Sequence, residues 1–313
     1  MARTLFRLAL ACLVYMTLVL DVQAAPRVWV AVAEEEGAYA EAAAVLKAEL
    51  AGNAEISTVR WQALFDGREA MPDLIVTIGV AALDGTLERL AQKGAAWARV
   101  PLVATLVPQV VFEARMAAGP VVQRPISAVV LDQPLGRQLA FIKRALPERR
   151  RVGILPGVQT RPLLRTLEKE ASGLGLKLVI APAINAADDL YPALKTALEE
   201  ADVILALPEP TVYHGGTLQN ILLTAYRART PLVAFSPAYV KAGAVLALYS
   251  TPTQVARRAV ELVRDWQAGR GLPVPQTPRE FSVAVNAKVA ASLGLQIDDA
   301  AVIVEYLRRQ EGR

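Results

Sequence analysis

At 313 residues, 54% of them apolar and 20% charged, the chain is too hydrophobic for disorder and longer than one core usually supports. A single cysteine and a single histidine exclude a disulfide framework and any metal site that needs two imidazoles. The formal charge is +4, and the basic runs Arg149-Arg150-Arg151 and Arg308-Arg309 carry no interleaved aromatics, which points away from nucleic acid.

The chain opens on a leader. Arg3 and Arg7 give a basic start, residues 8–20 form an apolar run of 13 residues, and Val22-Gln23-Ala24 is a small-residue cleavage site before Ala25. Thirteen residues are too few to cross a hydrocarbon core of about 30 Å. Residues 1–24 are therefore read as a signal peptide removed on export. Cys12 sits inside the apolar run, where Ala9-Leu10-Ala11 makes a poor lipidation signal, and it leaves with the leader.

Four strand candidates follow in order: Arg27-Val28-Trp29-Val30-Ala31-Val32, Glu55-Ile56-Ser57-Thr58-Val59, Leu74-Ile75-Val76-Thr77-Ile78 after Asp73, and Leu102-Val103-Ala104 after Pro101. Each then returns. Arg151-Val152-Gly153-Ile154-Leu155, Lys177-Leu178-Val179-Ile180, Val203-Ile204-Leu205 after Asp202 and Leu232-Val233-Ala234 after Pro231 repeat the series. Asp73 to Pro101 spans 28 positions and Asp202 to Pro231 spans 29. Short continuous apolar runs bounded by breakers are the mark of parallel strands covered on both faces. Between them lie helix signals. Residues 39–50 are rich in Ala, Glu and Leu and stop at Gly52-Asn53; Leu135, Leu139, Ile142 and Leu146 line one helical face, as do Leu164, Leu167, Ala171 and Leu174. Val255, Ala259, Leu262 and Trp266 mark another helix that ends at Gly269. Strand and helix alternating at this spacing predict an α/β chain of two doubly wound parallel-sheet lobes in tandem.

Three stretches read as crossings between the lobes: 123–134, 241–252, and the Gly- and Pro-rich 269–278. They predict residues 25–128 and 244–270 for lobe one, residues 129–243 and 271–313 for lobe two, and a hinge that the lobes share.

Catalytic motifs are missing. There is no Gly-x-Ser-x-Gly turn, no phosphate loop and no dinucleotide fingerprint, and Tyr213-His214-Gly215-Gly216 alone does not make an esterase. No enzyme activity, cofactor or metal is expected. In open parallel sheets ligands sit beyond the carboxyl ends of the strands, so binding candidates are drawn from there: Glu34, Gly79 and Thr105 in lobe one, and Glu209, Tyr213, Ser236 and Tyr239 in lobe two. Gly79 lets backbone approach a ligand or simply ends a strand. Glu209 holds an ammonium group or is a solvated loop charge, and Tyr213 and Tyr239 stack on a planar ligand or pack in the hinge. Glu34, Glu35 and Glu36 read as the first turn of a helix.

Residues 72–79, Val100-Pro101-Leu102-Val103, Leu146-Pro147 before residues 151–155, and the block 281–295 together resemble the periplasmic substrate-binding components of ABC transporters. The nearest likeness is to a subgroup that includes tryptophan- and tyrosine-binding members. The resemblance implies a type I binding-protein fold, a small-molecule ligand in the cleft, and delivery to a membrane permease by a monomer. A sensor subunit that signals occupancy to a membrane partner is the alternative. Arg124-Pro125-Ile126-Ser127-Ala128 replaces the family's Gly-Asn-x-Thr-Gly turn, and Pro208-Glu209-Pro210-Thr211 stands where an Asp is common.

Overall fold

The repeating runs form two sheets in this computed structural model, which describes residues 25–66, 70–94, 96–118 and 124–312. Residues 1–24, with the expected signal peptide, lie outside the described residues. The first sheet contains β1 (Arg27–Val32), β2 (Glu55–Arg60), β3 (Leu74–Ile78), β4 (Leu102–Val107) and β5 (Ile126–Val130), in the order β2-β1-β3-β4-β5. The second contains β6 (Arg151–Ile154), β7 (Lys177–Ile180), β8 (Val203–Leu205), β9 (Leu232–Ala234), β10 (Leu246–Tyr249) and β11 (Ser282–Val285), in the order β11-β10-β9-β8-β6-β7. Counted from its own first strand, each sheet runs 2-1-3-4-5, and the extra strand β11 pairs antiparallel with β10. The four repeated runs thus occupy equivalent places in two lobes.

The acidic residue before each central strand has the same task in both. The Arg27 N–H donates to Asp73 Oδ2 at 2.8 Å, and the Arg151 N–H donates to Asp202 Oδ2 at 2.9 Å. Each carboxylate so fixes the start of the neighbouring strand. Asp202 also accepts the Arg151 guanidinium, at 3.0 Å from Nε and 2.7 Å from Nη2, and this side-chain bond holds its carboxyl below the usual range.

Period-2 alternation sends each strand's side chains to two cores. Val28, Val30 and Val32 pack with Leu46 and Leu50 of α1 (Gly37–Leu50), whereas Trp29 and Ala31 face Leu83 and Leu90 of α2 (Val80–Ala91) and Phe112 of α3 (Gln109–Ala118). In the second lobe, Val203 and Leu205 meet α4 (Leu135–Ala145) and α5 (Leu164–Gly173), and Ile204 meets α6 (Leu190–Glu200) and α7 (Leu218–Arg227). A short α8 (Pro237–Ala242) follows β9.

Helix α9 (Pro252–Gln267) comes late in the chain but covers the first lobe. Val255, Ala256, Ala259, Val260, Leu262 and Val263 lie in one core with β1, β3 and α1. A reciprocal cap starts it, since Thr251 Oγ1 accepts the Gln254 N–H at 3.2 Å and Gln254 Oε1 accepts the Thr251 N–H at 2.9 Å. The chain then returns to the second lobe for β11, α10 (Ala287–Ser292) and α11 (Ala300–Gln310).

Two expected boundaries move. Residues 244–249, expected in lobe one, include β10 of the second sheet, because residues 244–248 are apolar and fully buried and Gly243, at φ +129°, ends α8 instead of opening a crossing. Val129 and Val130, expected in lobe two, complete β5 of the first sheet. The chain therefore changes sheets after Val130, after Tyr249 and after α9. The third passage leans on the first sheet: Gln276 N–H donates to Ala128 O at 2.8 Å and Val130 N–H to Gln276 O at 2.9 Å.

Candidate functional site

Side chains tie the three crossings to one another. Gln133 Nε2 in the first donates to Ser250 Oγ in the second at 2.9 Å, and Ser250 Oγ donates to Glu280 O in the third at 2.7 Å. Arg137, with its side chain 2% exposed, donates to Gln133 Oε1 at 2.8 Å, holds Glu311 near the C-terminus with two bonds, and stacks 4.3 Å over Phe281. The lobes meet through a short, cross-linked hinge.

Beside this hinge lies a cavity of about 320 Å³. Pro108, just past β4, comes from the first lobe; Pro208, Phe235, Ser236 and Pro237, past β8 and β9, come from the second. Leu131, Asp132 and Gln133 of the first crossing, Tyr249 at the end of β10 and Ser250 of the second crossing form its floor, with Gln138 of α4 behind them. It opens at the carboxyl ends of both sheets, where α/β folds hold ligands. A bulge in β4 helps to place Pro108: the register with β5 shifts between Thr105 and Val107, and Leu106 takes a positive φ of 54°. Two larger hollows, of about 930 and 610 Å³, sit on the outside of the first lobe and touch no residue of the second.

Among the described residues, Asp132 is the one charged side chain in the cavity wall. Its Oδ2 accepts the Gln109 N–H, the first of α3, at 2.6 Å. Burial pushes its carboxyl above the usual range, the Gln109 bond partly opposes this, and the nearby Glu113 charge adds to the rise. Among the described residues no Lys, Arg or His forms an ion pair with it.

Residues 68–305 match the family model described as ABC transporter substrate binding protein. The chain belongs to this family. As a substrate-binding protein it is a ligand-binding component of a transporter and not an enzyme, in keeping with the missing nucleophile and phosphate motifs. No curated protein matches the chain. Solved structures share its fold. The ligand-free, open structure of CD0873, a substrate binding protein with adhesive properties from Clostridium difficile, is 16% identical with a TM-score of 0.65, over 88% of this chain and 96% of that one. A conserved domain protein from Vibrio cholerae is 21% identical with a TM-score of 0.57, over 90% and 98%. An ABC domain in complex with L-Trp from Streptococcus pneumonia is 14% identical with a TM-score of 0.55, over 89% and 98%.

The substrate-binding protein distributes its sequence-predicted site residues unevenly. Ser236 lines the cavity and caps α8, its Oγ accepting the Ala238 N–H at 3.3 Å. Tyr213 and Tyr239 stand behind the wall. Tyr213 meets Phe235 and Tyr239 edge-on, Phe235 and Tyr239 lie tilted at 4.8 Å, and it is Phe235 that reaches the cavity. Tyr239 donates its hydroxyl to Tyr213 O at 3.1 Å; the Tyr213 hydroxyl is buried without a partner, and burial pushes its phenol far up.

Glu209 is 1% exposed and is bound to its own lobe. Its Oε2 accepts from Gln159 N at 2.9 Å and Thr160 N at 3.0 Å, and its Oε1 accepts from Thr211 Oγ1 at 2.8 Å. Gly157 makes the approach possible, because a Cβ there would fall 2.3 Å from Glu209 Cδ. Thr105 is fully buried in β4. Gly79, at φ +93°, makes the turn from β3 to α2, where a Cβ would lie 2.8 Å from the Tyr39 ring. Glu34 is exposed in the loop before α1, which starts at Gly37, so the acidic trio precedes the helix instead of forming its first turn.

Asp132, Phe235 and Tyr249 were not singled out by the sequence. Asp132 follows β5, which had been read as part of the first crossing, so its place at a strand's carboxyl end was hidden. Tyr249 ends β10, which had been read as part of a crossing.

Proposed function

We propose that this protein captures a small polar metabolite, an amino acid or a related organic molecule, between its lobes and hands it to an ABC permease. It works in the periplasm as a monomer, after loss of residues 1–24. The observation that carries this reading is the cavity walled by both lobes and floored by two of the three crossings. A ligand there touches both sheets' carboxyl edges and the hinge at once, so binding and closure are coupled. The L-Trp in the pneumococcal structure is the reason aromatic amino acids head the panel to be tried.

The test is a metabolite-pool thermal-shift screen followed by small-angle scattering. A ligand at about 100 times its Kd adds about 2.7 kcal/mol, a melting rise of roughly 5 to 10 °C for a chain of this size. The same ligand is expected to reduce the radius of gyration. A stabilising ligand that leaves the scattering unchanged, and whose binding responds to substitutions in one lobe alone, would replace the cleft with a single-lobe site.

A further inference from the structure

We propose that the group recognised in the inter-lobe cavity is an organic ammonium on a flat apolar body, and that Asp132 selects it. The inference rests on the cleft reading above and narrows its ligand.

The charge inventory of the wall is the first support. Among the described residues it contains one carboxylate and no Lys, Arg or His. The guanidinium behind it, Arg137, is committed to Glu311 and to Gln133. An anionic ligand placed here meets a like charge with no cation to offset it. A cation meets an unpaired carboxylate whose Oδ2 is already oriented by the Gln109 N–H.

The remaining polar groups are largely used within the protein. Gln133 gives its amide to Ser250 and takes a bond from Arg137, Gln138 Nε2 donates to Gln133 O at 2.9 Å, and Ser250 donates to Glu280 O. A polyhydroxylated ligand would need several free donors and acceptors, and this wall has few. The rest is proline, Leu131 and two aromatic rings, Phe235 and Tyr249. Such a surface suits a planar hydrocarbon, and aromatic faces attract an ammonium as well. Burial of the Asp132 carboxyl works in the same direction, because a desolvated charge without a partner gains most from a counter-ion.

The test uses calorimetric titration of the full chain with three sets of probes: the amines tryptamine, tyramine and phenylethylamine; the zwitterion tryptophan; and the anion indole-3-acetate. At least one amine is expected to bind and to contract the protein in scattering. Tryptophan, which carries both charges, should follow its matching amine, and indole-3-acetate should bind weakest. Asp132→Asn should weaken amine binding roughly 30-fold or more. That variant keeps an oxygen for the Gln109 N–H, so its melting curve should remain cooperative, and that is measured alongside. Unchanged amine affinity in the Asn variant, or indole-3-acetate binding as well as tryptamine, overturns the assignment. If no amine binds but a pooled neutral or anionic metabolite contracts the protein, the ammonium proposal fails and the cleft reading stands. If nothing contracts it, both fail.

Discussion

Replacing Glu209 by alanine separates two roles that one buried carboxylate can have. The structure has it accept the Gln159 and Thr160 N–H groups and the Thr211 hydroxyl, all within the second lobe. Truncation leaves two backbone donors of the β6 loop without their acceptor and opens a gap against Gly157. An unsatisfied buried donor costs about 1 to 3 kcal/mol. With some relief from water entering the gap, the sum is about 3 to 4 kcal/mol. At about 2 to 4 °C for each kcal/mol, the melting point of ligand-free protein should fall by roughly 6 to 16 °C. Differential scanning calorimetry reads this directly, and Glu209→Gln, which keeps one acceptor oxygen, should fall by less. A Glu209→Ala protein that melts like the parent but no longer binds its ligand would refute the reasoning and return Glu209 to the ligand.

Thr251→Ala removes one half of the cap that starts α9 and should cost about 1 kcal/mol, read as a shift in the urea midpoint with an unchanged slope. Asp202 has a lowered folded pKa, so its pairing adds stability above its unfolded value and that stability is lost as pH falls through the window below it; Asp202→Asn should flatten the acid limb of a stability-versus-pH curve, and an unaltered limb would disprove the assignment. Asp132 has the opposite sign. Its raised pKa means that the ionised group weighs against the ligand-free fold at neutral pH and stops doing so as pH falls through the raised value, so Asp132→Asn should raise the melting point at pH 7 more than at pH 4. A fragment of residues 25–130 lacks α9 and leaves Val103 of β4, Val129 of β5 and the adjoining flank of α1 uncovered; it should bind a hydrophobic dye and melt without cooperativity, and a sharp transition near that of the whole protein would show that α9 is dispensable.

The two-lobe plan was legible because the physics that fixes it is local. An acid, a buried apolar run and a breaker define a central strand, and the chain writes that sentence twice at Asp73 and Asp202. The short strands gave less. β10 is four residues long, between Gly243 and a proline-led helix, and those breakers resemble a linker as long as the burial of Leu246 and Leu248 is unknown. The site was least legible. Strand-end position pointed to the β9–α8 turn, where Ser236 lines the cavity, but which of Phe235, Tyr213 and Tyr239 reaches that cavity depends on how a turn rotates, and no residue pattern encodes that rotation. The role of Glu209 depends on a glycine 52 positions earlier.

The late origin of α9 has a bearing on biosynthesis. While the chain is being made, residues 25–130 emerge first, yet the helix that seals their sheet ends at Gln267. For about half of elongation, at about 5 to 20 residues per second, the first lobe waits with one apolar face open. A chain in that state is a poor folder and a ready client for chaperones. A polypeptide that must be threaded unfolded through a narrow channel would be held in transportable form by its own chain order, and the first lobe would close only once nearly everything had passed.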